Sequence, residues 1–348
     1  MARGTINTAL SRLFYMILMC EGNRLNGQPA ANLLAFNFRR GGIVDNFFKN
    51  ITRLSAFIVF AMVIAILVSL WLGALPALDK FGLGFLTGTA WDPVAEDFGA
   101  LPAIFGTLVT SAIAMLIAVP VSFGIAVFIT ELSPLWLKRP IATAVELLAA
   151  IPSIIYGMWG LFVFAPLFAD HVQPWLTENL GDIPGIGALF QGPPMGIGLF
   201  TAGLILAIMV IPFISAVMRD VFEVVPPLLK ESAYGLGATT WEVVRHVVLP
   251  YTKVGIAGGI MLGLGRALGE TMAVTFVIGN AHEIYASLFM PGNTISSSLA
   301  NEFTEAVGAT YTSSLFALGL ILFLITFLVL SLAKLLLLRL TAKEGKRT

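Results

Sequence analysis

The chain has 348 residues, of which 57% are apolar and only 11% charged, with a mean hydropathy of +0.91 and a formal net charge of zero. A soluble domain carries about a quarter of its residues as charges, so a water-soluble globule and a disordered chain are both excluded, and zero net charge leaves no basic field to gather nucleic acid. One cysteine, Cys20, excludes a disulfide framework and a cysteine-based zinc or iron–sulfur site, which leaves an integral membrane protein.

At the N-terminus, Phe14–Cys20 is a short apolar run behind Arg3 and Arg12, like a signal-peptide core. No small-residue cleavage site follows closely, and Met19 is too large just before a lipoprotein-type cysteine. Residues 1–42 are therefore expected to form a poorly ordered cytoplasmic extension or to lie upstream of a later start. Residues 43–53, with Phe47 and Phe48 beside Asp45 and Lys49, read as an amphipathic elbow on the membrane surface.

A helix needs about 20 apolar residues to cross roughly 30 Å of hydrocarbon. Stretches of at least that length without Asp, Glu, Lys or Arg run 54–78, 98–130, 147–169, 183–218 and 306–333, and 254–281 is interrupted only by Arg266 and Glu270. They predict six spans, over 54–75, 103–130, 141–168, 196–218, 254–280 and 314–338, within a membrane domain of 54–340 that ends in a basic tail, 341–348. Pro120 and Pro152 should kink the second and third, since proline removes a backbone donor and clashes with the preceding turn.

Basic residues cluster before the first span, in alternate connections (Lys138 and Arg139; Arg219, Lys230, Arg245 and Lys253) and after the last span. The other three connections hold a single Lys, Lys80, against ten carboxylates. The positive-inside rule then places both termini in the cytoplasm. Glu146, near the start of the third span, is expected to snorkel to the surface and pair with Lys138 or Arg139.

The long connection 219–253 contains Glu231-Ser232-Ala233, then Gly237, and ends Val247-Val248-Leu249-Pro250. Glu231 suits the first turn of a helix, where a carboxylate meets the positive end of the dipole. Gly235 and Gly237 should bend that helix, and Pro250 should stop the run before span five. Leu236, Val243, Val244, Val247 and Val248 give it an apolar side that something must cover. This pattern resembles the cytoplasmic loop of ABC-importer permeases: Glu-Ala-Ala, three residues, Gly, nine residues, Ile, one residue, Leu-Pro. Ser232 and Val247 are mild departures. The resemblance implies that Glu231, Ser232, Ala233, Gly237, Leu249 and Pro250 seat in a groove of an ATPase subunit. The chain has no Gly-x-x-x-x-Gly-Lys-Ser/Thr, and His171, His246 and His282 are scattered without a metalloprotease pattern. Neither a catalytic nor a metal site is expected, and no cofactor in this chain.

The fifth span carries Gly255, Gly259 and Gly263, then Arg266 and Glu270. At about 100° per residue all five fall within an arc of roughly 80°. Glycines four apart let another helix approach closely, and the two charges are spaced for an i,i+4 pair. A planar, permanently charged guanidinium suits phosphate or sulfate oxygens; a purely structural ion pair is the competing reading.

Arg266-Ala-Leu-Gly-Glu-Thr271 also resembles the Arg-Ala-x-Gly-Glu-Thr pattern of phosphate ABC-transporter permeases. Glu146–Gly157 is similar to that family's third span, and Met290–Ile295 with Ser298–Glu302 resembles the last outer loop of its PstC branch rather than PstA. The likeness extends from about residue 43 to the C-terminus. It implies an all-α, multi-pass protein of the bacterial cytoplasmic (inner) membrane with the type I ABC-importer permease fold. It further implies a PstA-like permease partner, two PstB-like ATPase subunits and a PstS-like phosphate-binding protein, with Arg266 and Glu270 on the substrate pathway. A permease for sulfate or molybdate, an ion-coupled transporter and a membrane enzyme remain as alternatives.

Overall fold

Residues 31–344 are described by the computed structural model of the chain. The signal-like run 14–20 and the last four residues of the basic tail lie outside the described residues. The chain divides into two compact units, Met1–Ile66 and Leu67–Thr348.

The described part of the first unit is helical. The helix Ala31–Phe81 runs through the position of the expected elbow without a break, so 43–53 is not a separate element and residue 42/43 is not a structural boundary. Between Gly42 and Gly73 there is neither glycine nor proline to stop it. Its candidate membrane span, Asp45–Phe81, contains the expected 54–75.

Five further candidate spans follow, Leu101–Leu132, Ser153–Leu180, Leu199–Glu223, Thr240–Leu268 and Ala309–Leu335, so the expected six are present among the described residues. Leu199–Glu223 is the central one: 61% of its apolar window is buried, against 28% or less in the others. It earns that place through small residues. Gly203 takes the side chain of Ile113 so closely that a Cβ would lie 2.6 Å from it, and Ala202 and Ala207 are buried with Ala114 and Ala118 of the second span. Close backbone approach of this kind replaces the hydrophobic drive that is missing in lipid. A second core gathers Ala74, Ala77, Phe85, Phe98, Ile295, Leu315 and Leu318.

Two of the expected spans are corrected. The segment 141–168 is two helices, Leu135–Ala149 and the span opening at Ser153. Pro152 occupies the cap position before Ser153 and ends one helix rather than kinking it, because the residue before a proline is driven out of the helical region. Pro120, by contrast, sits inside an unbroken helix, Leu101–Val127. The segment 254–280 is also divided: its first helix ends at Leu268, and a separate helix runs Met272–Ile278.

The acidic connections gather at one end of the second unit. A minimal antiparallel pair, Trp91–Asp92 with Asp97–Phe98, is the only sheet among the described residues. The loop after Gly279 returns into the helix Ile295–Glu302. Gly106 of the second span allows this return: a Cβ there would lie 1.8 Å from the carbonyl oxygen of Asn293.

Candidate functional site

The divided fifth span sets Arg266 and Glu270 apart. Arg266 lies in the last turn of Leu249–Leu268, where a cation meets the negative end of the helix dipole. Gly269 caps that helix. Glu270 belongs to the turn, and its Oε1 accepts from the Ala273 amide at 3.3 Å, so it serves the positive end of the next helix. The two side chains form no ion pair among the described residues, which corrects the expected i,i+4 contact. The helix ends because Gly269 costs roughly 1 kcal/mol in a helix relative to alanine and the turn gains its own cap.

Gly255, Gly259 and Gly263 press against Val221, Val217 and Ile214 of the central span, with Cβ positions 2.5 to 3.1 Å from those side chains. Arg266 falls within their arc but stays exposed. Its guanidinium lies 5.7 Å from the centre of the Phe213 ring, within cation–π range. The helix thus buries its glycine stripe in its own chain and presents a cation outward.

At the basic end, the helix Pro227–Gly235 carries Glu231, Ser232 and Ala233. Glu231 is its fifth residue, not a first-turn residue, because Pro227 already supplies a preorganised start. Gly237 follows with φ +88°, and no atom lies within 4 Å of a Cβ there; the glycine serves backbone conformation rather than packing. Thr239 then opens the next helix with a capping box: its amide donates to Glu242 Oε2 at 2.7 Å, and the Glu242 amide returns to Thr239 Oγ1 at 3.4 Å. The Thr-x-x-Glu spacing could have been read from the sequence. Leu249-Pro250 lies inside the continuous run Thr240–Leu268, so Pro250 does not stop it. A π-helical turn, Val244–Val248, precedes the proline and loosens the hydrogen-bond ladder there. Of the expected apolar side, Val243, Val244 and Val248 are buried, whereas Leu236 is 91% exposed, in company with Leu228 and Trp241. Glu146 pairs with Arg219 at 2.8 Å, not with Lys138 or Arg139, and Lys138 pairs with Glu223 at 3.1 Å.

A cluster at the acidic end was not anticipated. Glu302 accepts from Trp91 Nε1 at 2.7 Å and from Tyr311 at 2.8 Å through Oε2, and meets His282 Nε2 at 2.7 Å through Oε1. Trp91 and His282 stack with ring centres 5.0 Å apart. Burial pushes the Glu302 carboxyl up, but donation from His282, Tyr311 and Trp91 outweighs it and leaves the group below the usual carboxylate range. Glu302 thereby joins the hairpin, the loop after Gly279, its own helix and the last span.

Residues 118–342 match the family described as "Binding-protein-dependent transport system inner membrane component". The "Phosphate transport system permease protein PstC" of Haemophilus influenzae is 59% identical over 303 residues, 87% of this chain and 96% of the relative. The protein of the same name from Pasteurella multocida is 61% identical, over 88% of this chain and 95% of its own length. A "Probable phosphate transport system permease protein PstC" from Methanocaldococcus jannaschii is 40% identical over 81% of the chain and 90% of its own length. Among solved structures, a bacterial ABC transporter importing the acidic polysaccharide alginate superposes with a TM-score of 0.54 at 19% identity, covering 85% of this chain and 99% of that one. That likeness concerns the fold alone.

Proposed function

The chain belongs to the binding-protein-dependent transport system inner membrane components, and from that premise we infer its work: it is a permease subunit of an ATP-driven importer that carries inorganic phosphate across the inner membrane. The observation that carries this reading is the identity of about 60% to permeases named for phosphate transport, over nearly nine-tenths of the chain. It is a multi-pass membrane protein and not itself an enzyme; ATP is hydrolysed on a separate subunit.

The geometry supports a division of labour. Arg266 is exposed at the end of a membrane helix but lies beside Phe213, in the interior of the central span; at the middle of a membrane helix a charge facing lipid costs about 2.5–3.5 kcal/mol on insertion scales. Facing a shared, hydrated pathway instead, it attracts the phosphate anion. The discontinuous fifth span fits this role, since broken helices place oppositely charged helix ends beside a transported ion. Glu270 keeps the site from holding the anion too tightly. In this reading the second wall of the pathway is a PstA-like permease, a PstS-like binding protein delivers phosphate from outside, and two PstB-like ATPases dock inside. The positive-inside pattern supports a cytoplasmic side for both termini and residues 219–253.

Exposed Leu228, Leu236 and Trp241 form the apolar surface that the ATPase covers, with the Gly237 turn setting its shape. Gly237→Leu forces a branched side chain into a left-handed backbone, at about 1–2 kcal/mol. Less ATPase should then co-purify. Gly237→Asn, which tolerates that conformation, should retain far more; equal retention in both would show that the turn's backbone is not what the ATPase needs.

The function is tested with the complete transporter in right-side-out vesicles, the binding protein outside and ATP trapped inside. Labelled phosphate should accumulate and labelled sulfate should not. Sulfate uptake in place of phosphate would reassign the substrate, and no uptake of either anion with ATP inside would overturn the importer reading.

A further inference from the structure

We propose that three ion pairs in antiparallel register make the helix Leu135–Ala149 a strut through which the coupling segment moves the second and third spans. The proposal rests on the importer reading above. The pairs are Glu131 with Lys230 at 2.5 Å, Lys138 with Glu223 at 3.1 Å, and Glu146 with Arg219 at 2.8 Å. Along one side the chain runs 131, 138, 146; along the other, 230, 223, 219. The signs alternate, so a slip by one rung sets Glu131 against Glu223 and Lys138 against Arg219. Both of those encounters are repulsive, so the ladder resists a slip by one rung.

Chain connectivity alone carries a push on the coupling helix only to its own neighbours, the fourth and fifth spans. The rungs supply the other route. Lys230 directly precedes Glu231 on the coupling helix Pro227–Gly235, while Glu131 lies in the last turn of the second span. Lys138 and Glu146 lie on Leu135–Ala149, which leads into the third span. Tyr156, in the first turn of that span, donates to the Leu148 carbonyl at 3.0 Å and bridges the break at Pro152.

The burial of the rungs fits transmission better than adhesion. Glu131 is 5% exposed and Lys230 18%, so the rung beside the coupling helix is held firmly; in the other two the cations Lys138 and Arg219 are 31% and 12% exposed, but their carboxylates, Glu223 and Glu146, are 46% and 54% exposed. Pairs that open to solvent contribute little to stability; what these two fix is register. Arg219 is shared with Asp220 at 2.7 Å, so the middle rung is the cleanest to test.

The experiment measures phosphate moved per ATP hydrolysed by the complete transporter in vesicles. Lys138→Glu sets like charges at the middle rung and should lower that ratio about tenfold. Lys138→Gln should lower it less. Lys138→Glu combined with Glu223→Lys restores the attraction with its members exchanged and should recover most of the ratio. A merely structural role would reduce the amount of assembled transporter and leave the ratio unchanged in what assembles. A wild-type ratio in Lys138→Gln or Lys138→Glu, or no recovery in the reversed pair, overturns the strut. If Lys138→Glu does not assemble, the Gln variant and the reversed pair still decide. Absence of phosphate-dependent ATP hydrolysis in the unaltered transporter would instead overturn the importer reading.

Discussion

Arg266→Gln should lower phosphate uptake by roughly 10–100-fold while leaving the transporter assembled. The size follows from losing a hydrogen bond to a charged partner, about 1.5–3 kcal/mol. Assembly should survive because the side chain is exposed and lies against the face of Phe213. Arg266→Lys should recover part of the activity, since the ammonium keeps the charge and loses the planar fork. The charge exchange, Arg266→Glu with Glu270→Arg, tests whether the place of the cation matters. The two residues serve opposite helix ends, so the exchange puts an anion at a negative helix end and a cation at a positive one. It should therefore fail in uptake. Wild-type uptake in the exchanged protein would sink the pathway role of Arg266.

Glu302→Ala should lower the stability of the purified protein by about 1–3 kcal/mol, the cost of leaving buried hydrogen-bond donors without an acceptor. The side chain is 16% exposed, and its loss strands donors on Trp91, Tyr311 and His282 together. Glu302→Gln keeps an acceptor oxygen but loses the charge and should cost less. The sign of the pH dependence follows from the depressed carboxyl of Glu302. Its contribution is present above the unfolded carboxylate value, about 4.3, and is lost as pH falls through the lower folded value. Thermal midpoints of the unaltered protein and Glu302→Gln, measured in detergent, should therefore differ at pH 6 and converge below pH of about 4. A gap independent of pH would remove the charge from the explanation.

The number of spans and the placing of four of them were legible in the sequence because each rests on a local quantity. The apolar runs under the first, second, fourth and sixth spans are long enough to cross lipid whatever surrounds them. The Glu231–Pro250 spacing was likewise local, and so was the four-residue glycine stripe of the fifth span. Where the reading failed, the local signal had two solutions. The segment 254–280 reads as one span interrupted only by Arg266 and Glu270, yet the chain ends a helix at Leu268 and lets Glu270 cap the next. Pro152 reads as a kink, yet it separates two helices.

Partnership was out of reach altogether. Glu146 has Lys138 and Arg139 within a little over two helical turns but pairs with Arg219, and Glu302 takes a donor from Trp91, 211 positions away. Hydropathy, spacing and charge counts are sums over neighbouring residues, so they specify which segments enter the membrane and which side each connection prefers. Which charges meet depends on how those segments pack, and only the folded chain brings a carboxylate on one connection within hydrogen-bond reach of a cation or indole on another.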